Sequence, residues 1–324
     1  YLPPLGSGAI GVACVVIGHL LFRTAYAAVN VPYLAMSARI SVHSNDRAFV
    51  AGMRMLFGTM AWVIVARGTV PIGAWLSGSA VAADTYLGAA IFFALTATAI
   101  LLVVGFTYRE EVVPSPTPVP SIAESLRSLL GNRAFVTLNL AMMAMIVAVT
   151  VLNKSVLYYF RYFLGDDAAG QSALAWMGLV SGLAVPVWMA VQRGIGTRSL
   201  WFLAAGLCIA GLSLFALIGI ATTTTMQIFL VAMQAAIVGL HFVFWAMLPN
   251  TIEYGERATG LRLEGAVFGL ASLLQRVAMA MATRWTIALV PLGFFALSCL
   301  LMLLNPLGRG AHARIVRDLQ RPEA

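Results

Sequence analysis

Long apolar runs are the feature that most constrains this chain. Runs of about 20 residues, the length that crosses a bilayer as a helix, recur along its 324 residues with mostly short hydrophilic joints between them. Hydrophobic residues make up 61% of the chain and charged residues only 10%, whereas soluble domains carry about 25% charged residues. Within lipid, such runs must satisfy their own backbone hydrogen bonds. The sequence therefore predicts an all-α, polytopic membrane protein.

The runs predict nine membrane helices, to within a few residues at each end. They lie near residues 8–35, 48–68, 85–107, 134–163, 171–191, 199–220, 226–249, 264–282 and 286–304.

The longest joint is predicted to separate two bundles. It contains VVPSPTPVPS, whose prolines stop any helix, and then IAESLRSLL, which is typical of a short amphipathic helix at the membrane surface. We therefore predict four parts: the remainder of an N-terminal bundle (1–107), a cytoplasmic linker (108–133), a C-terminal six-helix bundle (134–305) and a cytoplasmic tail (306–324).

The charge distribution predicts the orientation. Most of the 20 basic residues lie in alternate joints and in the tail, whereas the opposite joints hold only Arg67 and Arg161. By the positive-inside rule, the basic joints and the C-terminus face the cytoplasm, as in a bacterial inner membrane. This pattern accounts for the net charge of +8 without a nucleic-acid partner.

A polar stripe interrupts the first apolar run. His19, Arg23, Tyr26, Asn30 and Tyr33 recur at helical spacing, so they share one face of one helix. An arginine that faced lipid would cost several kcal/mol. The stripe is therefore predicted to face protein or water.

Four stretches together resemble one transporter family. The chain is similar over these stretches to the glycoside–pentoside–hexuronide:cation symporters, the melibiose-permease branch of the major facilitator superfamily. The stretches are AAVNVPYLAMSARISVHSNDRAFVAGMRMLFG (27–58), LYYFRYFLG (157–165), WAMLPNTIEYGERATGLRLEGAVFGLASLLQR (245–276) and HARIVRDL (312–319).

The resemblance implies two helical bundles that alternately open a central cavity to each side of the membrane. The nine helices then look like family helices 4–12. The first three would be absent, and so would a segment between Ala282 and Trp285, where two runs meet with almost no connection.

The resemblance also implies a solute site near the middle of the bilayer. Asn30 stands where the family has a sugar-binding aspartate, and Tyr26 stands at a sugar-facing aromatic position. Arg276 matches a family lysine. The alternative for Asn30 and Tyr26 is a bond to a neighbouring helix, and for Lys154 it is snorkelling to the interface. The predicted substrate-binding residues are Arg23, Tyr26, Asn30, Lys154, His241, Trp245 and Arg276.

Charges in three joints resemble the ion pairs that close the family's cytoplasmic gate. Exposed pairs are each worth under about 1 kcal/mol, which suits a reversible latch; the alternative is ordinary positive-inside charge. Two neutral or weakly charged residues, His43 and Asn250, stand where family members have aspartates. The predicted gate residues are Arg47, Arg54, Arg193, Arg198, Glu253, Glu256, Arg257 and Arg262.

All twelve acidic residues lie in joints, in the tail or at helix ends. The carboxylates that hold Na⁺ or H⁺ in the family lie on its helix 2, which has no counterpart here, so a coupling cation is expected but no residue is assigned to it. Basic residues at membrane depth without an acidic partner favour an anionic solute such as a hexuronide.

The leading prediction is a cation-coupled secondary transporter of a sugar, a glycoside or a related organic solute. Two alternatives stay open: a carrier of lipids or lysolipids with the same fold, and a membrane scaffold subunit that does not transport. An enzyme is not expected, because the sequence lacks a metalloprotease, hydrolase or phosphate-binding motif. No resident cofactor or metal is predicted, and the oligomeric state is left open.

Overall fold

The structure, a computed structural model, describes residues 8–79, 81–109, 120–220, 222–281, 289–307 and 311–319. Throughout these residues the regular structure is helical, without a strand. The helices are α1 (Ala9–Arg39), α2 (Ser44–Ser77), α3 (Ala82–Thr107), α4 (Ile122–Gly131), α5 (Arg133–Tyr159), α6 (Asp167–Ile195), α7 (Thr197–Ile218), α8 (Thr223–Met247), α9 (Asn250–Thr259), α10 (Glu264–Met281), α11 (Leu289–Leu303) and α12 (Ala311–Leu319); a π-helical turn, Phe160–Leu164, follows α5.

The predicted membrane architecture is confirmed. Among the described residues, 7 helical stretches are long and apolar enough to cross a membrane, and they correspond to the first seven predicted helices. The last two predicted helices are present as α10 and α11. Residues 282–288, where we expected an absent segment, lie outside the described residues.

Two predicted boundaries were wrong. We ended the second helix at 68, but α2 continues to Ser77 with Pro71 inside it, so Arg67 is a helical residue rather than part of a joint. Non-polar surroundings favour continuing a helix past a proline, because an unwound backbone would lose its other hydrogen bonds. No helix was predicted in the joint between 249 and 264, yet α9 lies there.

The described contacts divide the chain into two compact units. Unit 1 comprises Tyr1–Leu34 and Phe57–Glu110, and unit 2 comprises Ala35–Leu56 and Glu111–Ala324. The end of α1 and the start of α2 therefore group with the C-terminal helices. They do not group with the remainder of the predicted N-terminal bundle.

In unit 1, α2 and α3 pack through small residues. A Cβ atom added at Gly73 would collide with the backbone carbonyl oxygen of Thr85, and one added at Gly88 would lie 3.2 Å from the carbonyl oxygen of Gly73. Close backbone approach of this kind is how membrane helices associate without a hydrophobic driving force between them.

In unit 2, α5 is the central helix. Most of its residues are buried, and its start is anchored by two side-chain amides. Asn132 caps α5 by accepting from the amide of Phe135 at 3.0 Å and donates to the carbonyl oxygen of Thr251 on α9 at 2.7 Å. Asn305, after α11, donates to the carbonyl oxygen of Ala134 at 3.0 Å. These bonds fix α9 and α11 against the start of α5.

Candidate functional site

The polar stripe of the first helix is helical as predicted, since α1 runs unbroken from Ala9 to Arg39 with Pro32 inside it. Arg23 Nε donates to His19 Nε2 at 3.3 Å, and this contact is exposed. Tyr26 is 47% exposed, and the ring of Phe22 stacks beside it. In the described part of unit 1 no hydrogen bond reaches the side chains of Tyr26 or Asn30, so the solute role of the stripe stays a prediction.

The other predicted substrate residues lie in unit 2. Lys154 and Arg276 are exposed, and no carboxylate pairs with either of them among the described residues. His241 Nδ1 lies 3.2 Å from the carbonyl oxygen of Ile237, one turn earlier on α8. These three side chains do not contact one another in the described structure.

Arg47 is the centre of a buried polar cluster. Its side chain is 0% exposed, and it sits at the start of α2 with the end of α1 above it. Nε donates to the carbonyl oxygen of Ser41 at 2.6 Å, and Nη2 donates to the carbonyl oxygen of Ala38 at 3.1 Å. Nη2 also bonds Glu253 Oε1 on α9 at 2.5 Å. One guanidinium therefore caps α1 and ties the α1–α2 joint to α9.

A second set of ion pairs continues the cluster toward α10. Arg39 Nη2 lies 2.6 Å from Glu264 Oε2. Arg262 Nε bonds the other oxygen of Glu264 at 2.6 Å, and its Nη1 bonds Glu256 Oε2 at 2.8 Å. The side chains of Glu264 and Arg262 are only 5% and 9% exposed. Glu264 thus bridges two arginines, one at each joint.

The electrostatics of Arg262 follow from this arrangement. Burial by itself lowers its pKa, but the hydrogen bond to Glu264 and the charges of the surrounding glutamates raise the pKa above its ordinary value. We call the six residues Arg39, Arg47, Glu253, Glu256, Arg262 and Glu264 the charge cluster. The three arginines balance the three glutamates in charge.

Neutral contacts flank the charge cluster. Asn250 Nδ2 donates to Ser44 Oγ at 3.1 Å, and its Oδ1 accepts from Arg47 at 3.4 Å. Gln192, near the end of α6, donates to Asn45 Oδ1 at 3.3 Å. Amide groups therefore extend the contact between the α1–α2 joint and the C-terminal helices.

Aromatic contacts complete this surface on α2. The guanidinium of Arg54 lies 4.4 Å from the ring centre of Trp245 on α8, and that of Arg193 on α6 lies 5.9 Å from the ring centre of Phe49. Both distances fall within the range of cation–π attraction. Trp245, which we predicted to line the solute site, contacts a predicted gate residue.

The predicted gate set is only partly gathered in one place. The charge cluster contains Arg47, Glu253, Glu256 and Arg262 from that set. Arg198 instead donates to the carbonyl oxygen of Leu303 at 3.0 Å. Arg257 pairs with Asp318 of α12 at 2.9 Å.

Sequence reasoning missed two members of the charge cluster and its amide neighbours. Arg39 ends α1 and Glu264 opens α10, and their opposite signs in two facing joints were the available signal. No comparable signal marked Asn45, Ser44 or Gln192, because isolated polar residues at helix ends usually bond water or the local backbone.

Taken together, these contacts hold residues 35–56 to α6, α8, α9 and α10. A buried ion pair contributes little net stability, because desolvation offsets most of its attraction. Contacts of this kind can separate and reform at modest cost when water replaces the partner. The arrangement can therefore act as a latch.

The chain matches a known family and several known proteins over most of its length. Residues 1–307 match the family described as MFS/sugar transport protein. The chain is 25% identical to the glucuronide carrier protein homolog of Escherichia coli (strain K12), over 91% of the chain and 70% of that relative. It is 28% identical to a putative sulfoquinovose importer of Salmonella typhimurium, over 81% of the chain and 55% of that importer. It is 25% identical to the isoprimeverose transporter of Lactiplantibacillus pentosus, over 78% of the chain and 53% of that transporter. The chain thus spans about half the length of two of these relatives.

Proposed function

Because the chain belongs to the MFS/sugar transport protein family, we propose that it carries a negatively charged sugar or a related organic solute across the membrane by alternating access. The family predicted from the four sequence stretches is confirmed, and the chain is an integral, multi-pass membrane protein. Its relatives are transport proteins rather than enzymes.

The observation that carries the mechanism is the charge cluster. It links the α1–α2 joint to α9 and α10 through two cross-joint ion pairs, Arg47–Glu253 and Arg39–Glu264. Alternating access requires a contact that closes one side of the path and then opens. Paired charges suit this task, because each partner can be hydrated when the pair separates. The cluster is proposed as that gate, and its two cross-joint ion pairs are formed in this structure.

Two observations support a negatively charged solute. Lys154 and Arg276 are exposed on helices α5 and α10, and the described residues supply neither with a carboxylate partner. A charge at membrane depth needs a counter-charge, and a carboxylate or a sulfonate on the solute would supply one. Two relatives are named for glucuronides and sulfoquinovose, sugars with such groups.

The proposed coupling to Na⁺ or H⁺ rests on family membership alone. The proposed orientation, with the C-terminus in the cytoplasm of a bacterial inner membrane, rests on the distribution of Lys and Arg. Reporters fused after Ala324 test the orientation. A reporter that works only in the cytoplasm should be active, and activity of a reporter that works only in the periplasm would reverse the assignment.

Uptake by the full chain in proteoliposomes tests the proposed function. We expect 4-nitrophenyl β-D-glucuronide to accumulate faster than the matched neutral glucoside, and an imposed Na⁺ or proton gradient to drive accumulation. Arg276→Gln should remove most of the preference for the glucuronide, whereas Arg276→Lys should retain part of it because the charge remains.

The matched control is Arg127→Gln on α4, an exposed arginine outside the membrane spans. This variant has the same change of charge and should transport normally. Preference for the glucoside in the original protein, with no loss in Arg276→Gln, would contradict an anionic solute. Absence of uptake of either sugar would contradict sugar transport.

A further inference from the structure

A cavity lies at the far end of α5 from the charge cluster. It has a volume of about 420 Å³ and is lined by Leu157, Tyr158, Arg161, Tyr162, Asp167 and Gln171. Because α5 rises about 1.5 Å per residue, this end lies about 40 Å along the helix from Asn132, which contacts α9. A volume of this size is within the range of small-molecule sites, about 300–1,000 Å³.

The backbone beside the cavity is closely packed. The π-helical turn Phe160–Leu164 ends at Gly165, whose φ of 68° suits glycine. Phe160 is fully buried, and the backbone of Gly170 on α6 packs closely against its side chain. Asp166 caps α6 by accepting from the amide of Ala169 at 2.9 Å. π-Turns of this kind often occur at functional sites.

The wall of the cavity combines an aromatic face with a cation. The rings of Tyr158 and Tyr162 stack with their centres 6.1 Å apart and their planes at 15°, yet the two residues are 64% and 71% exposed. The guanidinium of Arg161 lies 5.7 Å from the ring centre of Tyr162. Stacked, exposed aromatic rings beside a cation match a ring that carries an anionic group.

Arg161 is only weakly held within the protein. Its Nε lies 4.0 Å from Asp167 Oδ2, at the limit of an ion pair, and both side chains are about two-thirds exposed at 65% and 68%. An exposed pair with this separation contributes almost nothing to stability. Its guanidinium therefore keeps donors for a bidentate bond to a carboxylate or sulfonate.

We propose that this cavity is a docking site for the sugar ring and the anionic group of the solute, distinct from the site at membrane depth. The ring stacks on Tyr158 and Tyr162, Arg161 binds the carboxylate or sulfonate, and the amide of Gln171 bonds a ring hydroxyl. Lys154 lies one helical turn before Tyr158 on α5, so it is the next cation along that helix. This inference rests on the proposed function, because it assumes a sugar-like anion.

Equilibrium binding to the full chain in nanodiscs tests the docking site. The probes are 4-nitrophenyl β-D-glucuronide and the matched neutral glucoside, titrated by isothermal calorimetry. Arg161→Gln should weaken glucuronide binding about tenfold, the factor that one charge-assisted bond commonly provides, and should leave glucoside binding almost unchanged. Tyr158→Leu combined with Tyr162→Leu should weaken binding of both probes.

Two controls match these changes in chemistry and exposure. Arg127→Gln on α4 and Tyr86→Leu on α3 should bind both probes like the original protein. Thermal melting of each variant separates a lost contact from a lost fold, and Arg161→Lys should recover part of the glucuronide affinity if charge is what binds.

The outcomes separate this inference from the proposed function. Normal glucuronide affinity in Arg161→Gln and in the double tyrosine variant would overturn the docking site, and the tyrosines would then be ordinary interface anchors. Normal uptake with unchanged binding constants would overturn the docking site alone. Binding that depends on Arg161, in a protein that does not transport, would support the docking site and contradict transport. Absence of binding of either probe would overturn the docking site.

Discussion

Arg47 shows how one side chain connects several levels of the structure. It lies in the first turn of α2 and donates to the carbonyl oxygens of Ala38, at the end of α1, and Ser41, in the joint. It also reaches Glu253, about two hundred positions later in the chain. Complete burial makes the guanidinium dependent on these acceptors, because no water replaces them. The consequence is asymmetric: removing one partner costs more than removing both.

We predict that Arg47→Gln strongly destabilises the protein, by about 3–5 kcal/mol, because it removes the positive charge that is paired with the buried carboxylate of Glu253. The double variant Arg47→Gln, Glu253→Gln should recover much of that loss. Thermal melting in detergent measures both effects. Arg257→Gln is the control, because its pair with Asp318 is about half exposed and worth under about 1 kcal/mol. Equal melting temperatures for Arg47→Gln and Arg257→Gln would contradict the buried role of Arg47.

The sequence predicted the charged residues of the gate better than their partners. Arg47, Glu253, Glu256 and Arg262 were identifiable because charges in these joints resemble the ion pairs of the family's gate. The bond between Asn250 and Ser44 was not predictable, because a neutral amide can bond many acceptors. The position of Trp245 beside Arg54 was also missed, since helical spacing does not say which neighbouring helix a side chain meets.

At the scale of whole helices, the apolar pattern predicted that a helix exists better than it predicted where the helix ends. Among the described residues, seven of the nine expected membrane helices are long and apolar enough to cross a membrane, and the last two correspond to α10 and α11. The expected amphipathic segment forms α4. The prediction failed at three places: α2 continues past Pro71, α9 forms inside a polar joint, and α5 ends in a π-turn. The start of α9 is buried against neighbouring helices. Pro71 is exposed, so there the non-polar surroundings favour an unbroken helix.

The α2–α3 contact yields a prediction about glycine. Gly73→Ala should destabilise the protein by about 1–3 kcal/mol, because the added Cβ meets the backbone of Thr85, which cannot yield as a side chain could. A Cβ atom added at Gly105 on α3 has no atom within 4 Å. Gly105→Ala should therefore stabilise the protein by about 0.5–1 kcal/mol, because alanine reduces the conformational freedom of the unfolded chain. Melting temperatures that shift in the same direction in the two variants would contradict this packing.

The start of α4 yields a prediction about pH. Glu124 Oε2 accepts from the amide and the hydroxyl of Ser121, at 2.8 Å each, and Ser121 Oγ accepts from the amide of Glu124. The hydrogen bond from the Ser121 amide, followed by that from its hydroxyl, lowers the pKa of Glu124 below 4.5. A lowered folded-state pKa means that α4 is stabilised above the unfolded pKa and loses this stabilisation as the pH falls through the folded pKa.

Hydrogen exchange across α4, corrected for the intrinsic rate, should therefore show protection that declines as the pH falls through the lowered pKa of Glu124. Glu124→Gln should remove most of this pH dependence, and Ser121→Ala should lower protection at neutral pH. Ser125→Ala, on the same helix, is the control and should keep the original profile. A decline of equal size in Glu124→Gln would assign the effect to another group.

At the scale of the molecule, the two units are joined through continuous helices. α1 belongs to unit 1 up to Leu34 and to unit 2 from Ala35, and α2 returns to unit 1 at Phe57. Arg39 and Arg47 of the charge cluster therefore lie on parts of α1 and α2 that continue into unit 1. If the proposed gate opens, residues 35–56 must leave their partners on α6, α8, α9 and α10, because these contacts hold the segment in the closed state.

The last prediction tests whether that separation is required for transport. Ser44 Oγ and Asn250 Nδ2 lie 3.1 Å apart, so cysteines at these positions can be joined by a short bifunctional methanethiosulfonate. Cys14, Cys208 and Cys299 are free thiols and must first be replaced by serine or alanine. We expect cross-linking of the Ser44→Cys, Asn250→Cys pair to abolish uptake, because the α1–α2 joint can no longer leave α9, and reduction should restore it. Each single variant treated with the reagent should transport normally.

The matched control joins Arg257→Cys to Asp318→Cys, two positions outside residues 35–56, and should cross-link without blocking uptake. Full uptake by the cross-linked Ser44–Asn250 pair would show that the charge cluster holds the structure together but does not open.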